Sequence, residues 1–409
     1  MEISTSTVSA ASFTAASLVA AAAFKALLNR NRNRIGRKFA SAASLDAGKG
    51  GSACTGEGSL SEWEVIEEEG KGTLRAKLRH KATQHETPWL TFAKAGGMHT
   101  PGFVTETRLQ WMKENVKLRK GDVVVDTYPK CGTTWTEQIV LLLLSGGDAS
   151  QLDPKSRNAY RLGQNYRKVW PVVIAEKKDF PQVRAILPPY SELSTMITPQ
   201  QFANIPGRRV IKEHMNREHF VGQTKDGQLT PGIKVVYVTR NPMDACVSAY
   251  HHPGRCSPEE GDAFPFNAYC KWFLERGFAW GTWFEHVRGW REEWKRNQEQ
   301  VLWLQYEELH DDLPKAIAKI ASFLGIEASP EFCEEVAKKS TIKAMKKQAA
   351  ASKAKETSEK PHVHLRKGKV GNWRARFSEE MFADFKSEYD STMKGLGISY
   401  NIGNGEVLA

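Results

Sequence analysis

Short apolar runs alternate with longer helical patterns through much of the chain. Val123–Val125, Lys234–Thr239 and Val301–Gln305 are short and rich in β-branched or other apolar residues, and Arg208–Lys212 is a short run with Val210 and Ile211 at its centre. Runs of this length between turn-forming residues are typical of buried strands. Strands that alternate with helices form a parallel sheet with helices on its faces. The pattern therefore predicts an α/β fold, a single doubly wound domain around a central parallel sheet.

Helices are predicted between these strands and after them. The helical segments are Thr107–Asn115, the apolar run from Thr133 to Ser145, Met243–Tyr250, residues 267–298, residues 313–338 and Glu379–Met393. Aromatic residues recur every three or four positions within residues 267–298, which predicts a buried stripe. Residues 61–100 predict one or two strands, residues 148–206 an irregular Pro-rich segment, and residues 339–360 a basic loop or lid.

The turn after the first predicted strand carries candidate chemistry. Tyr128-Pro129-Lys130-Cys131-Gly132 leads from the strand into an apolar helix. A strand, a glycine turn and a helix N-terminus aim main-chain N–H groups at an anion. Thr133 and Thr134 add hydroxyl donors, and Lys130 adds a positive charge. The usual P-loop spacing is absent, because the lysine precedes the glycine. The turn predicts a phosphate cradle, with an ordinary strand–helix turn as the alternative.

Two other strand ends carry polar residues that fit the same chemistry. One strand ends at Arg240, and the helix after it carries Ser248. An arginine presents a planar fork that binds phosphate, so this corner predicts a second anion site. Another strand delivers Glu213 and His214 to a loop. Histidine exchanges a proton near neutral pH, which makes His214 a candidate general base, with a structural histidine as the alternative.

Charge is concentrated in two segments. The chain has 409 residues and a formal net charge of +11. Thirteen basic residues and two acidic residues lie in residues 338–376, and six basic residues and one acidic residue lie in residues 1–45. A basic excess this local predicts an anionic ligand at one site. A nucleic-acid partner is not expected, because the basic segment 338–376 lacks interleaved aromatic residues.

The first residues differ in composition from the rest of the chain. Residues 1–45 are rich in Ala, Ser and Thr, and no acidic residue lies between Glu2 and Asp46. This composition is typical of an organelle transit peptide. Lys25 interrupts the apolar run Ala15–Leu28, which is short for a membrane span. Stable membrane insertion is therefore not expected, and a signal-anchor is the alternative.

The segment after this leader is a linker. Residues 46–60 are rich in Gly and Ser, which is typical of flexible connections. We therefore predict a targeting peptide and linker in residues 1–60 and one folded domain in residues 61–409. The predicted location is a chloroplast or mitochondrion, with the cytoplasm as the alternative.

The six cysteines show no C-x-x-C pair and no regular spacing. No zinc site or disulfide framework is predicted from them. Cys131 is the exception of interest, because it lies beside Lys130 at a predicted helix N-terminus. A thiol pKa tends to be lowered in such a position, which makes Cys131 a candidate reactive thiol and leaves its redox activity open.

Four segments, in order across residues 85–400, resemble motifs of the PAPS-dependent sulfotransferases of the cytosolic, soluble type. They are TYPKCGTTW at 127–135, VIKEH at 210–214, YVTRNPMDACVSAYHH at 237–252 and RKGKVGNWRARFS at 366–378. Cys131 stands where the family has a small residue, Glu213 where it has Thr, and Asn372 where it has Asp. The resemblance implies a fold like that of the P-loop kinases.

The resemblance also implies a cofactor, 3′-phosphoadenosine-5′-phosphosulfate (PAPS), which leaves as adenosine 3′,5′-bisphosphate (PAP). The residues implied at its 5′ end are Lys130, Cys131, Gly132, Thr133 and Thr134. Those implied at its 3′-phosphate are Arg240, Ser248, Arg366, Lys367 and Gly368. Those implied at the adenine are Trp135, Tyr306 and Ser340, the last in the place of a family Thr.

The catalytic residues implied by the resemblance are His214, Lys130 and Lys212. His214 would take the proton of an acceptor hydroxyl or amine that attacks sulfur in line. The two lysines would stabilise charge on the bridging oxygen and the sulfuryl group. No metal ion is expected in this chemistry. The alternative is a nucleotide kinase or another P-loop phosphotransferase, which would need Mg²⁺ and an acidic ligand for it.

The expected partner is a small-molecule acceptor. The family's dimer motif, K-x-x-x-T-V-x-x-x-E, follows the Trp of the segment RKGKVGNWRARFS, which is Trp373 in this chain. Glu379 and Ala383 stand at its Val and Glu places in this chain. The resemblance therefore implies no dimer of the family type, and the oligomeric state stays open.

Overall fold

Strands and helices alternate through the part of the chain that the structure describes. The computed structural model describes residues 59–70, 73–87, 90–101, 104–148, 183–187, 199–204, 208–252, 264–353 and 368–409. Its strands are β1 (Trp63–Gly70), β2 (Thr73–His80), β3 (Leu90–Ala95), β4 (Met98–Thr100), β5 (Val123–Asp126), β6 (Val183–Leu187), β7 (Arg208–Glu213), β8 (Lys234–Thr239), β9 (Val301–Gln305), β10 (Tyr400–Gly403) and β11 (Glu406–Leu408). Its α-helices are α1 (Glu106–Asn115), α2 (Thr133–Leu144), α3 (Pro199–Ala203), α4 (Pro242–Tyr250), α5 (Phe266–Arg276), α6 (Trp283–Arg296), α7 (Tyr306–Asp311), α8 (Leu313–Leu324), α9 (Pro330–Ser340), α10 (Ile342–Lys353) and α11 (Glu379–Thr392).

The predicted parallel sheet is present and has five strands, in the order β6-β7-β5-β8-β9. Every neighbouring pair in it is parallel. β5 lies in the middle, where Val123 pairs with Val210 on one side and with Lys234 on the other. The carboxyl ends of β7, β5 and β8 therefore meet at one edge, which is where ligands bind in such folds.

The side chains of β5 alternate between two buried layers. Val123 and Val125 pack with apolar residues of α2, α8 and α9. Val124 packs into the other layer, which contains residues of α4, α5 and α6. α2 is buried along most of its length, which explains why its sequence reads as a continuous apolar run. Helices on both faces of the sheet confirm the doubly wound fold.

Several predicted elements coincide with the observed ones. β8 and β9 have the predicted limits, and α4 begins one residue before its predicted start. The Asn241 side chain caps α4 by accepting the main-chain N–H of Asp244. The segment 267–298 forms two helices, α5 and α6. Trp283 and Trp290 in this segment are fully buried, so the aromatic stripe is core packing, as predicted.

The antiparallel parts of the fold were not predicted. β1 to β4 form a four-stranded antiparallel sheet in residues 61–100, where one or two strands were expected. β1 contains a run of glutamates and buries only Trp63 fully, so its sequence lacks the alternation that signals a strand. Its pairing with β2 supplies what its local sequence does not.

The segment 339–360 was predicted as a loop or lid, and the prediction of a loop was wrong for residues 342–353. Residues 342–353 form the helix α10. Ala and Lys, which dominate this segment, are good helix formers, and Met345 is buried. β6 and α3 are two further regular elements inside the segment 148–206, which was predicted to be irregular.

The folded domain begins slightly earlier than predicted. Ser59 caps a short 3₁₀ helix at Leu60–Glu62 by accepting the main-chain N–H of Ser61. Leu60 is buried in the main core. The predicted targeting peptide and most of the linker, residues 1–58, lie outside the described residues. Within the described ranges, no helix combines the length and the apolar character needed to cross a bilayer.

Candidate active site

The turn between β5 and α2 exposes a helix N-terminus. Lys130 has a φ of +74° and Gly132 a φ of +107°, both in the left-handed region. Gly132 is the N-cap of α2 and supplies no side-chain cap. The first N–H groups of the helix are therefore available to an anion. The hydroxyl oxygens of Thr127 and Thr133 lie 2.6 Å apart and join the two ends of the turn.

Cys131 lies on the buried side of this turn and has no exposed surface. Burial raises the pKa of its thiol to about 12, although the nearby charge of Arg240 acts in the opposite direction. The prediction of a lowered pKa was wrong, because the loss of solvation outweighs the nearby positive groups. The main-chain N–H of Cys131 donates to the Tyr128 carbonyl at 3.2 Å, so it is used within the turn.

His214 follows β7 and reaches the same turn. Its Nδ1 lies 2.9 Å from the carbonyl oxygen of Thr127. A carbonyl oxygen can only accept, so Nδ1 carries the hydrogen and Nε2 keeps its lone pair. Burial, and after it the charge of Lys212, lower the pKa of His214 to about 3. This pKa is below the near-neutral value expected from the sequence, and the ring is neutral at physiological pH.

Tyr306 opens α7 directly after β9 and contacts both predicted anion sites. A Cβ on Gly132 would lie 2.9 Å from Cδ2 of Tyr306. The ring centre of Trp135 is 5.2 Å from that of Tyr306, and the planes meet at 64°. The guanidinium carbon of Arg240 lies 4.3 Å from the centre of the Tyr306 ring. A Cβ on Gly368 would lie 3.6 Å from the Tyr306 hydroxyl.

Arg240 is held by its neighbours and still has an unused donor. Its Nη2 donates to the Lys369 carbonyl at 2.8 Å and lies 3.7 Å from Oδ2 of Asp244. Its Nε is buried and has no hydrogen-bond partner in the described part of the chain. A buried donor on a cation is costly to leave unpaired. The arrangement therefore fits an anionic ligand.

Asp244 joins α4 to the glycine-rich segment that starts at Gly368. Its carboxylate oxygens accept the main-chain N–H groups of Gly371 at 2.8 Å and of Trp373 at 3.0 Å. Its Oδ2 also accepts the side-chain amide of Asn241 at 3.0 Å. Two segments far apart in sequence are thereby fixed beside Arg240.

The model of the sulfotransferase domain family matches residues 120–397, which is well over half of the chain. The chain belongs to the sulfotransferase family. Sulfotransferase 1E1 of Bos taurus is 26% identical over 294 residues, which cover 70% of this chain and 88% of that protein. The 3-beta-hydroxysteroid sulfotransferase of Cavia porcellus is 29% identical over 297 residues, which cover 72% and 91%.

Two solved structures share the fold. The mouse sulfotransferase SULT7A1, complexed with PAP, is 24% identical with a TM-score of 0.55, covering 74% of this chain and 94% of that chain. Retinol dehydratase, in a complex with retinol and PAP, is 20% identical with a TM-score of 0.52, covering 83% and 99%. The family assignment confirms the predicted enzyme class, sulfonate transfer, and decides against the nucleotide-kinase alternative.

Three of the remaining predicted site residues of this sulfotransferase lie on three different elements. Lys212 lies on β7 and Ser248 on α4. Ser340 ends α9, and its hydroxyl donates to the Val336 carbonyl at 2.8 Å. Arg366 and Lys367 lie outside the described residues.

Glu307 is a buried site residue that the sequence reasoning missed. Its Oε1 accepts the main-chain N–H of Asn241 at 3.0 Å and the Asn241 side-chain amide at 3.1 Å. Burial raises the pKa of Glu307 to about 7, against the lowering effect of the Asn241 hydrogen bond and of Arg240. Glu307 directly follows Tyr306, but its sequence position alone gives no sign of burial.

Proposed function

We propose that this sulfotransferase takes its sulfonate group from PAPS and transfers it to a hydroxyl or amine of a small molecule. The contact of Tyr306 with both Gly132 and Arg240 is the observation that supports PAPS as the donor. A donor with a 5′-phosphosulfate and a 3′-phosphate needs two anion sites next to one nucleoside. Tyr306 joins two such sites. PAP is the nucleotide named for the mouse sulfotransferase and for retinol dehydratase.

Arg240 is the proposed centre of the 3′-phosphate site. Its buried, unpartnered Nε supports this role. A guanidinium binds phosphate with two parallel hydrogen bonds. Ser248 and Gly368 complete the proposed site, together with Arg366 and Lys367 from the sequence motif.

The turn after β5 is the proposed site for the 5′ end. The N-cap Gly132 has no side chain, so the main-chain N–H groups of Gly132, Thr133 and Thr134 can point at an anion. Lys130 adds the charge. Trp135, one residue further along α2, is proposed to contact the adenine, and its buried Nε1 has no partner within the described ranges.

His214 is the proposed general base. PAPS supplies an electrophilic sulfur and a phosphate leaving group when it is bound. The Nε2 lone pair of His214 can accept the acceptor's proton, because the Thr127 carbonyl holds the hydrogen on Nδ1. Burial lowers the pKa of His214 most, and the charges of Lys212 and Lys130 lower it further. An anionic donor offsets their charge, so the base gains strength when the site is filled.

The proposed acceptor is a small, partly apolar alcohol, phenol or amine. The Tyr, Trp, Phe and Pro content of residues 148–206 and 251–270 supports it. A relative from Cavia porcellus is named for 3-beta-hydroxysteroids, and retinol dehydratase is named with retinol. Both named ligands are apolar alcohols.

The test of this function is sulfonate transfer from ³⁵S-labelled PAPS to a panel of sterols, phenols, alcohols and amines. PAP binding by calorimetry is measured in parallel, and both assays are repeated with EDTA. We expect PAP to bind and at least one acceptor class to be labelled, with and without EDTA. A protein that fails to bind PAP contradicts the proposed donor.

We further propose that residues 1–60 direct the protein to a chloroplast or mitochondrion. The support is their composition, which lacks acidic residues between Glu2 and Asp46. A fusion of residues 1–60 to a fluorescent protein should localise to one of these organelles. A diffuse cytoplasmic signal, equal to that of the fluorescent protein alone, contradicts the proposal.

A further inference from the structure

Hydrogen bonds hold the main chain of His214 as well as its ring. Its main-chain N–H donates to Oε1 of Glu213 at 2.9 Å. Its carbonyl oxygen lies 3.2 Å from Nε2 of His286, which belongs to α6. Glu213 and His286 are both fully buried. A carboxyl group and an imidazole therefore hold the main-chain N–H and carbonyl of the residue proposed as base, and neither Glu213 nor His286 is among the site residues that the family motifs imply.

The hydrogen bonds of His286 define its tautomer. The His214 carbonyl can only accept, so Nε2 of His286 must carry the hydrogen. Nδ1 of His286 lies 2.9 Å from the hydroxyl oxygen of Tyr237. A neutral imidazole carries one hydrogen, so Nδ1 accepts and the Tyr237 hydroxyl donates. Burial lowers the pKa of His286 to about 3, which keeps the ring neutral.

We propose that His286 and Tyr237 are positioning residues for His214, a role that rests on the proposed function of His214 as the base. The Tyr237 hydroxyl holds the hydrogen of His286 on Nε2. That hydrogen fixes the His214 carbonyl, and the fixed main chain orients the His214 ring toward Thr127. This series of hydrogen bonds, from Tyr237 on β8 through His286 on α6 to His214 after β7, sets the direction of the Nε2 lone pair of His214.

Ring packing supports this rigid role. The ring of His286 is stacked on that of Tyr237, with centres 5.7 Å apart and planes at 25°. Tyr128, from the turn between β5 and α2, meets His286 edge-on, with ring centres 5.5 Å apart. His286 is thus confined by the strand on one side and by the turn on the other. Its imidazole has little freedom to release the His214 carbonyl.

Asp126 defines the alternative that the test must exclude. Its Oδ1 lies 3.8 Å from Nε2 of His286, and both of its oxygens are buried. Asp126 pairs with Glu213 across β5 and β7. Burial, and after it the neighbouring Glu213, raise the pKa of Asp126 well above its usual value. The His214 carbonyl oxygen is closer to Nε2 of His286, at 3.2 Å, than Oδ1 of Asp126 is, so the Nε2 hydrogen goes to the carbonyl.

The decisive variant is Tyr237→Phe, which removes the hydroxyl and keeps the buried ring. We expect kcat to fall about 10- to 100-fold, because small misplacements of a catalytic group have effects of this size. The KM for PAPS and the Kd for PAP should change less than about 2-fold. The matched control is Tyr389→Phe, which also loses a buried hydroxyl, one that donates to the Ile398 carbonyl at 2.8 Å. It should leave kcat unchanged.

Two further variants separate positioning from charge relay. His286→Gln retains an amide that can donate to the His214 carbonyl, and it should keep more activity than His286→Leu. Asp126→Asn should retain wild-type kcat. If Asp126→Asn loses as much as Tyr237→Phe, a carboxylate relay replaces our proposal. If Tyr237→Phe has the kcat of Tyr389→Phe, the positioning role is excluded.

A spectroscopic readout keeps the proposal testable without turnover. ¹⁵N chemical shifts of labelled histidine distinguish the two neutral tautomers, and the signal lost in His286→Gln identifies His286. We expect the Nε2–H tautomer in the wild type and a changed shift in Tyr237→Phe. An Nδ1–H tautomer in the wild type overturns the proposal. A wild type that transfers no sulfonate contradicts the proposed function instead, and the tautomer experiment still decides this inference.

Discussion

The guanidinium carbon of Arg240 lies 4.3 Å from the centre of the Tyr306 ring. A guanidinium over an aromatic face gains a cation–π attraction. The same ring lies against Gly132, since a Cβ there would be 2.9 Å from Tyr306 Cδ2. One tyrosine thus fixes the distance between the two anion sites that the sequence predicts separately.

Arg240→Ala should weaken PAP binding by about 10- to 100-fold, because a hydrogen bond between charged groups contributes about 1.5–3 kcal/mol. The affinity for adenosine 5′-phosphosulfate, a donor that lacks the 3′-phosphate, should fall much less. Calorimetry and KM values measure both. Arg291→Ala removes an arginine that also lies over a ring, that of Trp294, and serves as control. Equal losses for both donors would contradict the 3′-phosphate assignment.

His214→Ala should lower kcat at least about 100-fold, the usual contribution of a general base. PAP affinity should change less than about 2-fold, because the proposed base does not hold the nucleotide. Initial rates with ³⁵S-labelled PAPS measure the first, and calorimetry the second. His310→Ala, at an exposed histidine of α7, is the control. Substantial residual turnover in His214→Ala would remove His214 from the mechanism.

Gly132→Ala should impair both folding and PAP binding. A residue with a side chain at φ +107° is strained, and the added Cβ would meet Tyr306. We expect the free energy of unfolding to fall by about 1–3 kcal/mol and PAP binding to weaken. Gly227→Ala has a similar backbone strain at φ +79° but no neighbour within 4 Å. Equal PAP affinities of Gly132→Ala and Gly227→Ala would show that the contact between residue 132 and Tyr306 does not matter for PAP binding.

Cys131 should resist alkylation in the native protein. Its thiol is buried and its pKa is raised to about 12, so little thiolate is present at pH 8 and none of it is exposed. Mass spectrometry after iodoacetamide treatment should find Cys131 modified only when urea is added. Labelling of native Cys131, blocked by PAP, would instead support the reactive thiol that the sequence suggested.

Glu307→Gln should stabilise the protein at alkaline pH. Burial raises the pKa of Glu307 from 4.5 in the unfolded chain to about 7 in the native state. Ionisation therefore costs stability as pH rises from 4.5 to 7, and the cost is complete above pH 7. Denaturant unfolding should give a gain of about 1–3 kcal/mol at pH 8 and little change at pH 4.5. The control Glu327→Gln, at an exposed site, should change stability by less than about 0.5 kcal/mol at either pH. A gain independent of pH would contradict the assignment.

The parallel core could be predicted because its signals are local. β8 and β9 are short apolar strands, and Asn241-Pro242 carries the start signal of α4 in two residues. The antiparallel strands beyond the core depend on pairing with distant segments. β1, rich in glutamate, becomes a strand only because β2 pairs with it.

The sequence by itself determined the family motifs and the order, along the chain, of the strands that carry them. Lys130, His214 and Arg240 each follow a strand, and parallel strands bring such residues to one edge. Only the tertiary structure decided the electrostatic state of these residues. Desolvation depends on how many atoms from other elements surround a group, and that number is not written in the local sequence. Burial therefore raised the pKa of Cys131, against what its neighbour Lys130 suggested, and lowered that of His214 below the near-neutral value typical of histidine.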